Sequence, residues 1–198
     1  MQKEGFTIWF TGLPCSGKTS LSKALKKSLS RYRQNIEILD GDEVRKNLSK
    51  GLGYSKEDRD THIRRVGFVA NLLARNGVVA ICAAISPYRA VRDEVRAMSG
   101  NFIEVYVNAA LETCALRDEK GLYQKAFAGE LKQFTGVSDP YEPPVNPEII
   151  CDTERESVDA SVEKIMKYLE DQGYINRSVY SEEDEAVLAK RLADLGYI

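Results

Sequence analysis

The sequence is poor in the residues that build metal clusters and disulfide frameworks. It has one histidine, His62, and four cysteines, Cys15, Cys82, Cys114 and Cys151, in 198 residues. No two cysteines form a C-x-x-C pair, and none stands at metal-ligand spacing around His62. That pattern excludes a zinc site legible from spacing and points to reduced, mostly buried thiols in a cytoplasmic protein. The N-terminal stretch lacks the apolar core of a signal peptide, and no apolar run approaches bilayer-spanning length, so no membrane association is expected. Lys and Arg number 28 against 30 Asp and Glu. There is therefore no basic field for nucleic acid, and any polyanion must be bound locally. Internal repeats and low-complexity tracts are absent as well. The length suits one α/β domain with a sizeable core and is short for two.

What is present is concentrated near the start. Gly12-Leu13-Pro14-Cys15-Ser16-Gly17-Lys18-Thr19 fits the phosphate-loop pattern G-x-x-x-x-G-K-[ST], between the apolar run Phe6–Phe10 and a helix-like segment opening at Ser20. Such a loop turns successive backbone N–H groups inward onto phosphate oxygens, and the following helix adds the positive end of its dipole. Lys18 is expected to reach the outer phosphates of a nucleotide, and the Thr19 hydroxyl to take one position on a magnesium ion bridging them.

The periodicities that follow predict alternating β and α elements. Leu21, Ala24, Leu25 and Leu29 mark a helix, and Ile36–Leu39 a second strand. Asp40-Gly41-Asp42 falls at the end of that strand, on the edge where open α/β sheets place ligands. Ser55, with Asp58 three residues on, opens a helix faced by Ile63, Val66, Val69, Ala70 and Leu73 and closed at Asn76-Gly77. Val78–Ile85 has no polar alternation and reads as a central strand buried on both faces. A helix to about Met98, a strand Phe102–Val107 and a short helix Leu111–Leu116 come next. From 117 to 147 regularity breaks down and most of the prolines gather, as in a functional loop or lid. Glu148–Cys151 is a last strand, and Val158, Val162, Ile165, Met166 and Leu169 mark a last domain helix. These predict a five-stranded parallel sheet flanked by helices over residues 1–174. A helical extension follows over 175–198, with Val187, Leu188, Leu192 and Leu195 on one face.

Phosphoryl transfer needs an in-line nucleophile, neutralised phosphate charge and exclusion of water. Asp42 is placed to accept a hydroxyl proton or to hold magnesium, and Asp40 to orient Lys18 or the metal, unless the two are solvated acids in a turn. Arg45, Arg59, Arg64 and Arg65 offer guanidinium forks for an anionic acceptor, or else form a solvated helix face. Tyr54 and Phe134 lie in glycine-containing loops, where they either stack on a flat base or pack the domain. Ser86 ends the central strand, as a phosphate ligand, a transient phosphoryl acceptor or a plain Ser-Pro turn. His62 reads as a helix residue with a satisfied hydrogen bond.

Taken in order, these blocks resemble one family. They are Phe10–Leu13 and the phosphate loop, Leu39–Arg45, Leu52–Arg59, Ile63–Arg65, Ile85–Arg89, Lys120–Tyr123, Phe134–Gly136 and Asp139–Glu142. From about residue 4 to 170 the chain resembles adenylylsulfate kinases (APS kinases). The resemblance implies a P-loop NTPase fold like that of nucleoside-monophosphate kinases, with a lid. It implies transfer of the ATP γ-phosphoryl group to the ribose 3′-hydroxyl of adenosine 5′-phosphosulfate (APS), giving 3′-phosphoadenylyl sulfate (PAPS). It also implies a magnesium-dependent homodimer and functional coupling to ATP sulfurylase. Gly12 to Ser20 would hold ATP; Lys18, Asp42 and Ser86 would serve catalysis; Thr19 and Asp42 would serve the metal. Arg45, Tyr54, Arg59, His62, Ile85, Ser86, Lys120 and Phe134, with Asp42, would hold the acceptor. The chain departs from the family pattern at His62, commonly Asn, at Tyr54, commonly Phe, and at Phe127, commonly Arg. Two other readings compete: a small P-loop kinase for a nucleotide, gluconate or shikimate, and a silent kinase-like domain that only binds the phosphonucleotide.

Overall fold

The computed structural model describes residues 4–176 together with Lys190, Arg191 and Ala193; the apolar stripe read for the C-terminal extension lies outside the described residues. Five strands, β1 (Phe6–Thr11), β2 (Ile36–Asp40), β3 (Val79–Ala83), β4 (Phe102–Asn108) and β5 (Ile149–Asp152), form one sheet in the order β2-β3-β1-β4-β5. Every neighbouring pair is parallel. Seven helices accompany them among the described residues: α1 (Lys18–Leu29), α2 (Gly41–Leu48), α3 (Lys56–Ala74), α4 (Arg89–Met98), α5 (Leu111–Leu116), α6 (Leu122–Phe127) and α7 (Val158–Asp171). None of the described helices is long and apolar enough to cross a membrane.

Because side chains alternate along a strand, the central strand β1 feeds two cores. Phe6, Ile8 and Phe10 point to one side, where Leu21, Leu25 and Leu29 of α1 and Val162, Ile165 and Leu169 of α7 close over them. Trp9 points to the other, toward Ile63, Val66 and Ala70 of α3 and Val91 and Val95 of α4. Helices on both faces explain why β1 and β3 are buried at every residue.

The sheet order makes the functional edge. β1 runs toward β3 on one side and β4 on the other, with Phe10 opposite both Ala83 and Val105. The loops leaving the C-terminal ends of β1, β2 and β3 thus emerge side by side, at the switch point where such sheets bind ligands. Caps set where the helices start. Asp40, Ser55 and Ser157 accept from the backbone amides of Asp42, Asp58 and Ala160 at the starts of α2, α3 and α7. The C-terminus of α3 closes as the sequence predicts. Val78 N–H bonds Leu73 O and Gly77 N–H bonds Ala74 O, with Gly77 left-handed at φ 81°.

Two helices depart from the sequence reading. α2 begins directly at Gly41, because Asp40 caps it and Asp42 and Glu43 fill its acidic first turn. The 117–147 segment is not irregular throughout. It holds α6, and a small core of Ala109, Cys114, Tyr123, Ala126 and Phe134 pins it against Leu13 of the phosphate loop.

Candidate active site

The phosphate loop joins β1 to α1 as the motif requires. Gly12 is there for proximity: a Cβ on it would lie 2.4 Å from Val107 O and 2.8 Å from Ser16 Oγ. Gly17 is the N-cap of α1, and no side chain caps that helix. Its first N–H groups are left without a side-chain cap, the condition for an anion to bind at a helix start, whereas Asp40, Ser55 and Ser157 cap α2, α3 and α7. Lys18 is buried, and its Nζ donates to Gly12 O at 2.9 Å and Leu13 O at 2.5 Å, with Ser16 Oγ at 3.3 Å. Burial pushes its pKa down to about 8. Cys15 takes a left-handed backbone at φ 60° and is exposed, with partial desolvation and the nearby Asp118 raising its thiol pKa. Three bonds brace the loop from outside: Tyr123 Oη donates to Pro14 O, Thr153 Oγ1 donates to Ser16 O, and Arg117 donates to Thr153 Oγ1.

A cleft of about 400 Å³ opens beside the loop, lined in part by Cys15, Thr19, Ser20, Arg117, Thr153 and Ser157. Its size suits a nucleoside attached to the phosphates. Arg117 and Thr153 were not among the residues singled out from sequence. Nothing in their local spacing marks them, since β5 and the start of the lid converge only in three dimensions.

Beyond Thr19 the carboxylates divide their work. Thr19 Oγ1 donates to Asp40 Oδ2 at 3.0 Å, while Asp40 Oδ1 accepts from Asp42 N–H at 3.0 Å. Asp40, more than Asp42, is thus the carboxylate next to the Thr19 hydroxyl. The Asp42 side chain is 83 % exposed and faces Lys120 Nζ at 3.9 Å, which arrives from the lid segment.

The arginines and aromatics also come together. Tyr54 is exposed, with the Arg45 guanidinium 4.4 Å and the Arg59 guanidinium 5.4 Å from its ring centre. Arg45 donates to Gly53 O, and Arg59 to Tyr54 O at 2.9 Å and to Gln133 O across the site. Burial lowers the Arg59 pKa, and Asp139, 3.7 Å away, opposes that shift. Arg64 and Arg65 belong elsewhere: Arg64 pairs with Glu94, and Arg65 donates to Leu48 O. Phe134 sits beside Gln133 but is only 8 % exposed, with its ring edge-on to Tyr123 at 4.9 Å. In this conformation it packs the lid.

Ser86 and His62, which the resemblance places at the acceptor, both turn polar atoms inward, and His62 makes the satisfied hydrogen bond read from the sequence. Ser86 lies at the site edge, but its Oγ is buried and accepts from Trp9 Nε1 at 3.1 Å. The hydroxyl faces the core, and what Ser86 contributes here is backbone shape, with φ at 41° and Ile85 O held by Thr11 Oγ1 at 2.9 Å. His62 is likewise buried, its Nδ1 2.8 Å from Ser49 Oγ, so it backs the site without lining it. Burial, with Arg45 and Arg65 nearby, pushes its pKa down to about 4 from 6.5. The unfolded chain takes up this proton and the folded chain does not, so stability should fall as pH drops from 6.5 toward 4. The loss is at most ~3.5 kcal/mol at about 1.4 kcal/mol per pH unit. Urea midpoints at pH 7 and pH 4.5 should show a smaller acid loss in His62→Asn than in the native chain; equal losses would assign the acid sensitivity to other groups.

Comparison with known proteins places this geometry. The adenylylsulphate kinase family model matches residues 4–152. The adenylyl-sulfate kinase of Rippkaea orientalis is 59 % identical over 179 residues, which is 90 % of this chain and 99 % of that one. The structure of the Mycobacterium tuberculosis APS kinase in complex with AMPPNP and APS superposes with a TM-score of 0.79 at 38 % identity, covering 84 % of this chain and 98 % of that one. A gluconokinase from Sinorhizobium meliloti shares the fold alone, with a TM-score of 0.59 at 17 % identity over 85 % of this chain and 93 % of that one. Phosphate loop, carboxylate pair and arginine-flanked tyrosine therefore stand in the setting of one family, and the chain belongs to the adenylylsulphate kinases.

Proposed function

We infer that this protein, an adenylyl-sulfate kinase, transfers the γ-phosphoryl group of ATP to the ribose 3′-hydroxyl of APS, producing PAPS and ADP. The observation that supports this best is the meeting of the phosphate loop with Arg45, Tyr54 and Arg59 across Asp40 and Asp42 on one sheet edge. ATP lies with its phosphates on Gly12–Ser20 and its base toward Arg117 and Thr153. The two guanidiniums take the phosphosulfate, each matching two oxygens at once. Tyr54 offers a face for the adenine, with Phe134 as the opposite wall once the lid closes. Lys120, Ile85 and the Ser86 backbone bound the ribose. Asp42 accepts the 3′-hydroxyl proton, and Lys18 stabilises charge growing on the transferring group.

The donors near the phosphates suit magnesium. Thr19 Oγ1 and Asp40 Oδ2 are hard oxygens 3.0 Å apart. No group of three or more His, Cys, Asp or Glu among the described residues could cage a metal. That is the environment of an ion held mainly by water and phosphate oxygens. When bound, magnesium neutralises phosphate charge during transfer.

A homodimer is part of this reading. Phe68 and Leu72, one turn apart on α3, and Leu48, whose carbonyl meets Arg65, expose apolar side chains for it; sedimentation at micromolar concentration tests it. The free thiols, three of them buried, agree with a cytoplasmic setting. An enzyme that joins sulfate to an adenylyl group must supply the acceptor, which is the coupling to ATP sulfurylase we propose.

ADP release measured with APS, and with gluconate, shikimate or nucleoside monophosphates in its place, tests the assignment; turnover is expected with APS alone. Arg59→Lys keeps the charge and loses the fork. It is expected to weaken APS binding by about ten- to a hundredfold, the range for charge-assisted hydrogen bonds, with ATP affinity little changed. A calorimetric titration in which ATP binding weakens and APS binding does not would move Arg59 to the nucleotide side.

A further inference from the structure

Arg92 lies on α4 and is 2 % exposed, so no substrate can reach it. Its guanidinium nonetheless binds three separate segments. Nε donates to Glu104 Oε1 on β4 at 2.9 Å, Nη1 to Ser86 O at 2.6 Å, and Nη2 to Glu142 O at 2.7 Å. A buried guanidinium has five N–H donors to satisfy, and Glu104 takes only the one on Nε. The other two bonds go to the turn that ends β3 and to the distal end of the lid segment.

Both targets are held at further points. Ser86 has a left-handed backbone, φ 41°, unfavourable for a residue with a Cβ, and it persists where surrounding contacts determine it. Glu142 N–H bonds Pro87 O at 2.8 Å, and its carboxylate accepts from Arg89 N–H at 2.8 Å. Tyr141 Oη lies 3.0 Å from Thr11 Oγ1, and Thr11 immediately precedes the phosphate loop. The Arg92 guanidinium is 5.9 Å from the Tyr141 ring centre.

We propose that Arg92 is a positioning residue for the acceptor, locking the Ile85–Ser86 turn and the Tyr141–Glu142 end of the lid into one preformed wall of the site. The proposal rests on the reading that APS occupies this edge. The wall then exists before APS arrives, and APS binding need not order it.

Arg92→Lys separates this role from a plain ion pair. Lysine keeps the charge beside Glu104 but cannot serve all three acceptors with one point charge. Glu104 also retains Arg96 at 3.2 Å, so it is not left unpaired. The KM for APS is expected to rise about tenfold, the loss of two net hydrogen bonds, while the KM for ATP stays within about twofold. A lowered thermal midpoint with both KM values at wild type would make Arg92 structural only and overturn the proposal. A rise in the ATP KM alone would overturn the placement of APS on this edge. Should Arg92→Lys fail to fold, Tyr141→Phe decides: it cuts the bond to Thr11 and leaves the ion pairs intact. A selective rise in the APS KM supports the rigid wall, and a wild-type APS KM overturns it.

Discussion

Lys18→Ala is expected to lower turnover by about a hundred- to a thousandfold in a protein that still folds, the range for removing one preorganised group that meets transition-state charge. Its Nζ sits among the Gly12 and Leu13 carbonyls and Ser16 Oγ, so the ammonium is already at the loop when a phosphate arrives. Exchanging neutral carbonyls for phosphate oxygens strengthens with the charge that develops during transfer, and alanine removes that gain. The fold should tolerate the change, because α1 is anchored by Leu21, Leu25 and Leu29 in the core rather than by Lys18. The pKa of about 8 adds a sign. In the free enzyme the ammonium loses its proton as pH rises through 8, and bound phosphates oppose that loss. Near pH 8.5 the native enzyme should therefore take up protons on binding ATP, and Lys18→Ala should take up fewer. Steady-state ADP release, a thermal melt and titrations in two buffers of different ionisation heat check all three. Near-native turnover in folded Lys18→Ala would remove the loop from the reaction.

Asp42→Asn should be comparably severe for a different reason. Its side chain is exposed at the start of α2, free of the hydrogen bond that ties Asp40 to Thr19, with Lys120 3.9 Å away. An amide there has nearly the same shape but cannot take the 3′-hydroxyl proton. A loss of about 10²- to 10⁴-fold in kcat is expected, the span for general-base removal, with ATP affinity unchanged. Asp40→Asn should behave otherwise, raising the magnesium concentration needed for half-maximal rate, because its oxygen is the one beside Thr19. Single-turnover rates across a magnesium titration separate the two. Equal responses in both variants would mean that the carboxylates act as one charge and that Asp42 has no distinct role in proton transfer.

The phosphate loop and its flanks were fully legible in the sequence. A glycine pattern, a lysine and a hydroxyl at fixed spacing leave the backbone one useful conformation, and the strand and helix on either side follow from local periodicity. The alternation of β and α elements was legible for the same reason, as were the caps at Ser55 and Gly77, each set by a few adjacent residues. Shorter elements were not: α2 depends on Asp40 turning from strand residue to cap, and α6 on a small core shared with Leu13.

Side-chain direction was decided only by the tertiary structure. Ser86 carries chemistry that the sequence places at the site, and the family resemblance adds His62, but the Trp9 indole and the Ser49 hydroxyl, 77 and 13 residues away, turn both inward. Arg92 looks like one more charge on a helix until β4, the end of β3 and the lid converge on it. Residue type and near-neighbour spacing determine local backbone and the menu of possible chemistry. Which groups face the substrate depends on contacts between segments far apart in the chain, and those exist only once the five strands have taken their order.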